Sequence, residues 1–211
     1  MITNAELATL NQYHYLLSDG TEKEKEKALR RSNRLGYDIE SATRGVAHFK
    51  KRDTGDNVIT VKGTNIGQTK DLKSDWSIAS GTTGTDKQFT NRQKQVDTIY
   101  NNAEGKKILT GHSLGGSQAI SMLIKSQNIR DKTHKAVVFN PGSSPFFHKE
   151  LKPHINKEVT EKLNKKLNIH HTKGDLISAP IVTSEVGKVK KHKAKSILNP
   201  HSLSNYTESS K

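Results

Sequence analysis

The second half of the chain alternates between two periodicities, and that alternation restricts the fold more than any other feature. Residues 106–110 form a short strand pattern, and 117–125 bring Ala119, Ile120, Leu123 and Ile124 onto one helical face. Residues 136–140 are continuously apolar up to Asn140, as expected of a strand covered on both sides. Leu151, Ile155, Val159, Leu163 and Leu167 then recur every fourth residue, which predicts one Lys-rich amphipathic helix. Residues 168–171 read as another strand, ending at Lys173-Gly174-Asp175. Strand, helix, strand, helix, strand at this pitch implies βαβ units and a parallel sheet. The predicted class is α/β.

The first half is less regular. Residues 2–17 place Leu7, Leu10, His14 and Leu17 at helical spacing, with Asn4 as the expected cap, and 22–27 alternate Glu and Lys as a solvated helix does. Residues 46–49 and 57–61 predict two strands around a turn, and 89–103 a polar helix with a thin stripe of Val96, Ile99 and Tyr100. Between them, 64–88 are rich in Gly, Thr, Ser and Asp, a length of irregular chain that suggests function. The expected organisation is an N-terminal helical segment, 1–44, packed on an α/β unit, 45–211. Leu, Ile, Val and Phe number 46 of 211 residues. That is about 22%, just above the roughly 20% below which a highly charged chain stays disordered, so a core requires that these residues be concentrated as they are. No window reaches 18 apolar residues, and no basic stretch precedes an apolar one at the N-terminus. The expected location is therefore cytoplasmic, or within a virus particle. Zero Cys excludes disulfides, Cys-ligated zinc, Fe–S clusters and thiol catalysis.

Between the strand at 106–110 and the helix after it lies Gly111-His112-Ser113-Leu114-Gly115-Gly116. This is G-x-S-x-G in the strand–turn–helix context that a nucleophile elbow requires. Gly111 and Gly115 give room for a tight turn that lifts the Ser113 hydroxyl above the sheet edge, and the Leu114 N–H is placed to donate to an oxyanion. A serine nucleophile needs a base, and the base an orienting carboxylate, in the chain order Ser, acid, His. Asp131 comes too early, and Glu150, Glu158 and Glu161 fall on the amphipathic helix; Asp175 directly follows a strand. Only His192 and His201 lie downstream of Asp175. His192 sits in Lys188-Val189-Lys190-Lys191-His192-Lys193, whose cations disfavour an imidazolium. The triad that this ordering selects is Ser113, Asp175 and His201, with no metal or organic cofactor required.

The elbow, with Val61-Lys62-Gly63-Thr64 before it and Gly174-Asp175 and His201…Tyr206 after it, resembles the class 3 lipase family. These are α/β-hydrolases related to the fungal triacylglycerol lipases. The resemblance covers roughly 45–206, with 62 residues from Ser113 to Asp175 and 26 from there to His201. It implies an α/β-hydrolase-type, mostly parallel central sheet flanked by helices. It also implies that Thr64 supplies the second oxyanion donor, and that 65–76, with Asp71…Asp75-Trp76, corresponds to the lid region. The family usually has Arg where this chain has Lys62, so the ion pair bracing the oxyanion loop differs. The implied activity is hydrolysis of acylglycerol or phospholipid esters through an acyl-enzyme. The alternatives are an esterase or thioesterase on a soluble substrate, and a basic virion-associated structural protein with a lipase-like fold.

Net charge is +14, with 28 of 35 cations being Lys. Lys188, Lys190, Lys191, Lys193 and Lys195 cluster just before His201. Such a cluster is a solubility feature, a docking site for anionic membrane, or a contact to nucleic acid in a virus particle. The few aromatics are not interleaved with the basic residues, which gives no support to base stacking.

Overall fold

A computed structural model describes residues 1–63, 87–142, 145–175, 186–195 and 201–207. Seven strands form one sheet: β1 (Tyr37–Ala42), β2 (Val46–Lys51), β3 (Asn57–Val61), β4 (Lys107–His112), β5 (Thr133–Phe139), β6 (Leu167–Thr172) and β7 (Lys188–His192). They lie side by side in chain order. β1, β2 and β3 are antiparallel, and every pair from β3 to β7 is parallel. The helices are α1 (Asn4–Asp19), α2 (Glu22–Arg34), α3 (Lys87–Asn102), α4 (Leu114–Lys125), α5 (Gln127–Lys132), α6 (Pro145–Leu151) and α7 (Lys157–Lys166). The class is α/β, a mixed and mostly parallel sheet flanked by helices.

Strand side chains alternate between two apolar layers. Ile59, Leu109, Val138 and Ile169 face one cluster, which takes in Val96 of α3, Leu123 of α4 and Leu163 of α7. Val58, Ile108, Val137 and Phe139 face the other, filled by Leu7 and Leu10 of α1 and by Leu203. The sheet's central strands are thus buried on both sides, which is why 136–139 read as unbroken apolar sequence.

Four elements depart from expectation. The cap of α1 is Thr3 rather than Asn4: its hydroxyl accepts from the Glu6 N–H while Glu6 bonds back to the Thr3 N–H. Thr21 and Glu24 repeat the same capping box on α2. The single helix expected over 151–167 divides into α6, a short 3-10 turn at Lys152–His154, and α7. Pro153 offers no N–H to continue the first helix, and the Asn156 side chain caps the second through Val159 N–H at 2.9 Å. Leu151, Val159, Leu163 and Leu167 are nonetheless buried, Leu167 as the first residue of β6. Finally, β1 and β7 are the sheet's two edges, and neither announces itself in sequence, because strands half in water carry Asp, Glu and Lys. β1 belongs to the 1–44 segment, so that segment supplies a strand of the sheet as well as α1 and α2. Among the described residues, no helix is long and apolar enough to cross a membrane.

Candidate active site

The turn between β4 and α4 holds Ser113 at φ 56° and ψ −131°, a strained conformation for a residue with a side chain. Ser113 occupies the N-cap of α4, where a serine ordinarily bonds an N–H of the first turn, yet its side chain makes no such bond. Its Oγ is buried and has no hydrogen-bond partner among the described residues. Close approach explains the flanking glycines. A Cβ on Gly115 would overlap the Val61 carbonyl at the end of β3, and one on Gly111 the Gly115 carbonyl. Leu114 opens α4, so its N–H is among the first-turn donors that the helix itself leaves unsatisfied.

Asp175 follows β6 through the tight turn at Gly174, whose φ is +86°. Its side chain is 1% exposed, and Oδ2 lies 2.7 Å from His201 Nδ1. A carboxylate there accepts, so Nδ1 carries the proton and Nε2 keeps its lone pair. His201 Nε2 is buried and, among the described residues, unpartnered. The structure therefore brings together Asp175 and His201, the acid and base that the ordering selected.

His201 is tied to the elbow by the residue before the serine. His112 Nε2 lies 2.8 Å from the His201 carbonyl oxygen, and the two rings pack with centroids 4.9 Å apart. Since a carbonyl only accepts, Nε2 is the protonated nitrogen of His112. Burial above all, with His201 adding to it, pushes the His112 imidazole down to about 3. The chain beyond His201 is anchored by Tyr206, whose hydroxyl donates to Asn140 Oδ1 at 2.7 Å and lies 2.8 Å from Thr172 Oγ1. Asn140, at φ 42°, also accepts from the Thr172 N–H at 2.8 Å, clamping the ends of β5 and β6 together.

His192 is elsewhere. It ends β7, with Nε2 2.8 Å from His170 Nδ1. Burial first, and Lys190 second, hold it below its ordinary value, so the cations matter less than the sequence argument supposed. Thr64 and Asp71, Asp75 and Trp76 lie outside the described residues. The Lys62 ammonium is buried and pairs with Asp19 Oδ2 at 2.5 Å. Burial opposes ionisation of Asp19, but the bonds from Lys62 and Ser18 hold its carboxyl below the usual range. A guanidinium from α3 holds the backbone here: Arg92 Nη1 donates to the Lys62 carbonyl at 2.9 Å and to Gln118 Oε1 at 2.5 Å. Arg92 and Asn140 escaped the sequence reading as parts of the site, while His112 and Tyr206 entered it only within quoted motifs, with no role assigned to either. No group of three or more His, Cys, Asp or Glu among the described residues is placed to hold a metal ion.

The strained serine of the elbow and the Asp-bound histidine belong to the same mostly parallel α/β fold, and no hydrogen bond joins Ser113 Oγ to His201 Nε2. No family model and no curated protein matches the sequence. Among solved structures, the chain is similar to a lipase from Rhizopus microsporus var. chinensis, at 14% identity and a TM-score of 0.46, over 98% of this chain and 85% of that one. It is similar also to lipase II from Rhizopus niveus, at 13% identity and a TM-score of 0.49, over 92% and 83% of the two chains.

Proposed function

We propose that this protein is a serine-dependent hydrolase of lipid esters, acylglycerol or phospholipid, acting through an acyl-enzyme. The observation that carries the reading is the state of two atoms: among the described residues Ser113 Oγ and His201 Nε2 are both buried and bonded to nothing, each other included, while Asp175 holds the other nitrogen of the imidazole. Ser113 Oγ attacks the ester carbonyl carbon as His201 Nε2 takes its proton. The Leu114 N–H, with Thr64 as second donor, stabilises the oxyanion. Collapse expels the alcohol, which receives the proton from His201. Water, deprotonated by the same imidazole, then releases the acid and restores Ser113.

The substrate surface is anionic in this reading. Lys188, Lys190 and Lys191 of β7, and Lys193 beyond it, are exposed, and none of them forms an ion pair among the described residues. The strand runs into the site's own loop, for the Lys195 N–H donates to Asn205 Oδ1 at 2.8 Å. Lys195 itself bonds the Thr207 carbonyl, which leaves four cations of the cluster unpaired among the described residues.

A serine-directed fluorophosphonate probe tests the assignment. The expected result is one labelled peptide containing Ser113, with labelling and ester hydrolysis both lost in Ser113→Ala while the far-UV circular dichroism is unchanged. Hydrolysis that persists in Ser113→Ala would overturn it.

A further inference from the structure

The residue preceding the nucleophile is engaged at both ring nitrogens. His112 Nε2–H donates to the His201 carbonyl at 2.8 Å, and Nδ1 lies 3.4 Å from the Tyr15 hydroxyl of α1. With the proton on Nε2, Nδ1 can only accept, so Tyr15 is the donor. Gly63 lies against the same hydroxyl, for a Cβ there would come to 3.0 Å from it. The line of contacts therefore runs from Gly63, just beyond β3, through Tyr15 and His112 to the backbone of the base.

We infer that His112 is a positioning residue for His201, holding the backbone of the base from the peptide unit next to the nucleophile, with Tyr15 fixing the ring that does so. This rests on the hydrolase reading. Two constraints then define the base: Asp175 fixes the imidazole at Nδ1, and His112 fixes the carbonyl of the same residue. Since His112 and Ser113 share a peptide bond, the reach from Ser113 Oγ to His201 Nε2 is set through a single residue. A neutral imidazole suits the task. It donates to the carbonyl without placing a second cation against the imidazolium that His201 becomes in the transition state.

The test is His112→Phe, which keeps the ring's bulk without the donor, against His112→Gln, whose amide NH2 reaches the position of Nε2. In His112→Phe, kcat on a short-chain p-nitrophenyl ester should fall between about 10- and 100-fold with KM little changed, the cost of a misplaced catalytic group. Phosphonylation of Ser113 should slow by the same factor, and the downfield proton resonance of His201 Nδ1–H should broaden or vanish. The melting temperature should move by only about 2–4 °C, the effect of one hydrogen bond in a chain of this length. His112→Gln should recover most of the rate and the resonance. If His112→Phe keeps wild-type kcat and the wild-type resonance, the inference is wrong. Should His112→Phe fail to fold, Tyr15→Phe decides: a sharp, unmoved resonance with an unchanged rate overturns the inference, and a weakened one with kcat down severalfold upholds it. The resonance also separates the two readings. If the wild-type protein hydrolyses no ester and takes no label, yet His112→Phe alone loses the resonance, the hydrolase reading has failed and the positioning role stands.

Discussion

At the scale of single residues, a serine at the cap of a helix is usually there to bond it, and Ser113 does not. Its backbone is strained and its hydroxyl is withheld from the first turn of α4. Strain of this kind persists only when the surroundings enforce it, and here Gly111 and Gly115 allow β3, β4 and α4 to close around the turn. Gly115→Ala should therefore abolish soluble expression or labelling, because the new methyl group meets backbone rather than a side chain that could move aside. The two downstream histidines give a sharper contrast. His201→Ala should lower kcat by several orders of magnitude, since the members of such a triad act as a unit. His192→Ala loses the bond to His170, which should cost about 1 kcal/mol of stability and leave turnover within severalfold. Steady-state kinetics with urea denaturation of both variants measures this, and a reversed pattern would exchange their roles.

At the scale of elements, β7 is ambiguous in an informative way. Lysine on an exposed edge strand protects against pairing with another chain, so Lys188, Lys190 and Lys191 would be useful there whatever the substrate. Salt separates protection from docking. If the cations face a lipid surface at about 1 kcal/mol each, turnover of anionic phospholipid vesicles should fall steeply as NaCl rises to about 0.5 M, where the Debye length is only a few ångströms. Turnover of a small soluble ester should hardly change. Lys190, Lys191 and Lys193 changed together to Gln should reproduce the high-salt result at low salt. Equal sensitivity on both substrates would move the effect to the catalytic site, and none on either would leave β7 as a protected edge. Salt-sensitive binding to nucleic acid without effect on vesicles would favour the particle-associated alternative. α1 has a comparable double role. It covers one face of the sheet with Leu7 and Leu10, and it reaches the strands' polar groups with Asn11, which donates to Thr110 Oγ1 at 2.9 Å.

At the scale of the whole molecule, buried neutral histidines should dominate the response to acid. His14 is fully buried between Thr60 Oγ1 at 2.8 Å and the Thr43 carbonyl at 3.0 Å. Burial first, with Lys62 and Arg92 assisting, pushes it down to about 4. Burial likewise pushes His112 and His170 down to about 3. Each folded value lies below the unfolded value of about 6.5, so between the two the unfolded chain binds more protons. Stability is then complete above about pH 6.5 and lost as the pH falls through the folded values. Equilibrium urea unfolding from pH 7.5 to 4 should show this loss. In His14→Gln the acid limb should be shallower by close to one proton, and an unchanged slope would mean that His14 is not the buried neutral group described here.

Local sequence determined the parts of this protein whose physics is local. The period of apolar residues specified β2 to β6, α3 and α4, because a residue's burial on one face depends on its spacing along the chain. The glycines of 111–116 specified the elbow, because the turn excludes side chains from its own neighbours. Chain order was enough to single out Asp175 and His201, which stand 2.7 Å apart. The edge strands were hidden because strands half in water carry no apolar signature, and the helix expected over 151–167 was broken by Pro153 and Asn156 without disturbing the burial its spacing described. What only the tertiary structure decided is every contact between residues far apart in the chain. Tyr15 reaches His112 across 97 positions, and His112 reaches His201 across 89. The physical reason is that one hydrogen bond leaves no periodicity in either segment. It exists only because the sheet sets α1, the elbow and the C-terminal loop against one another.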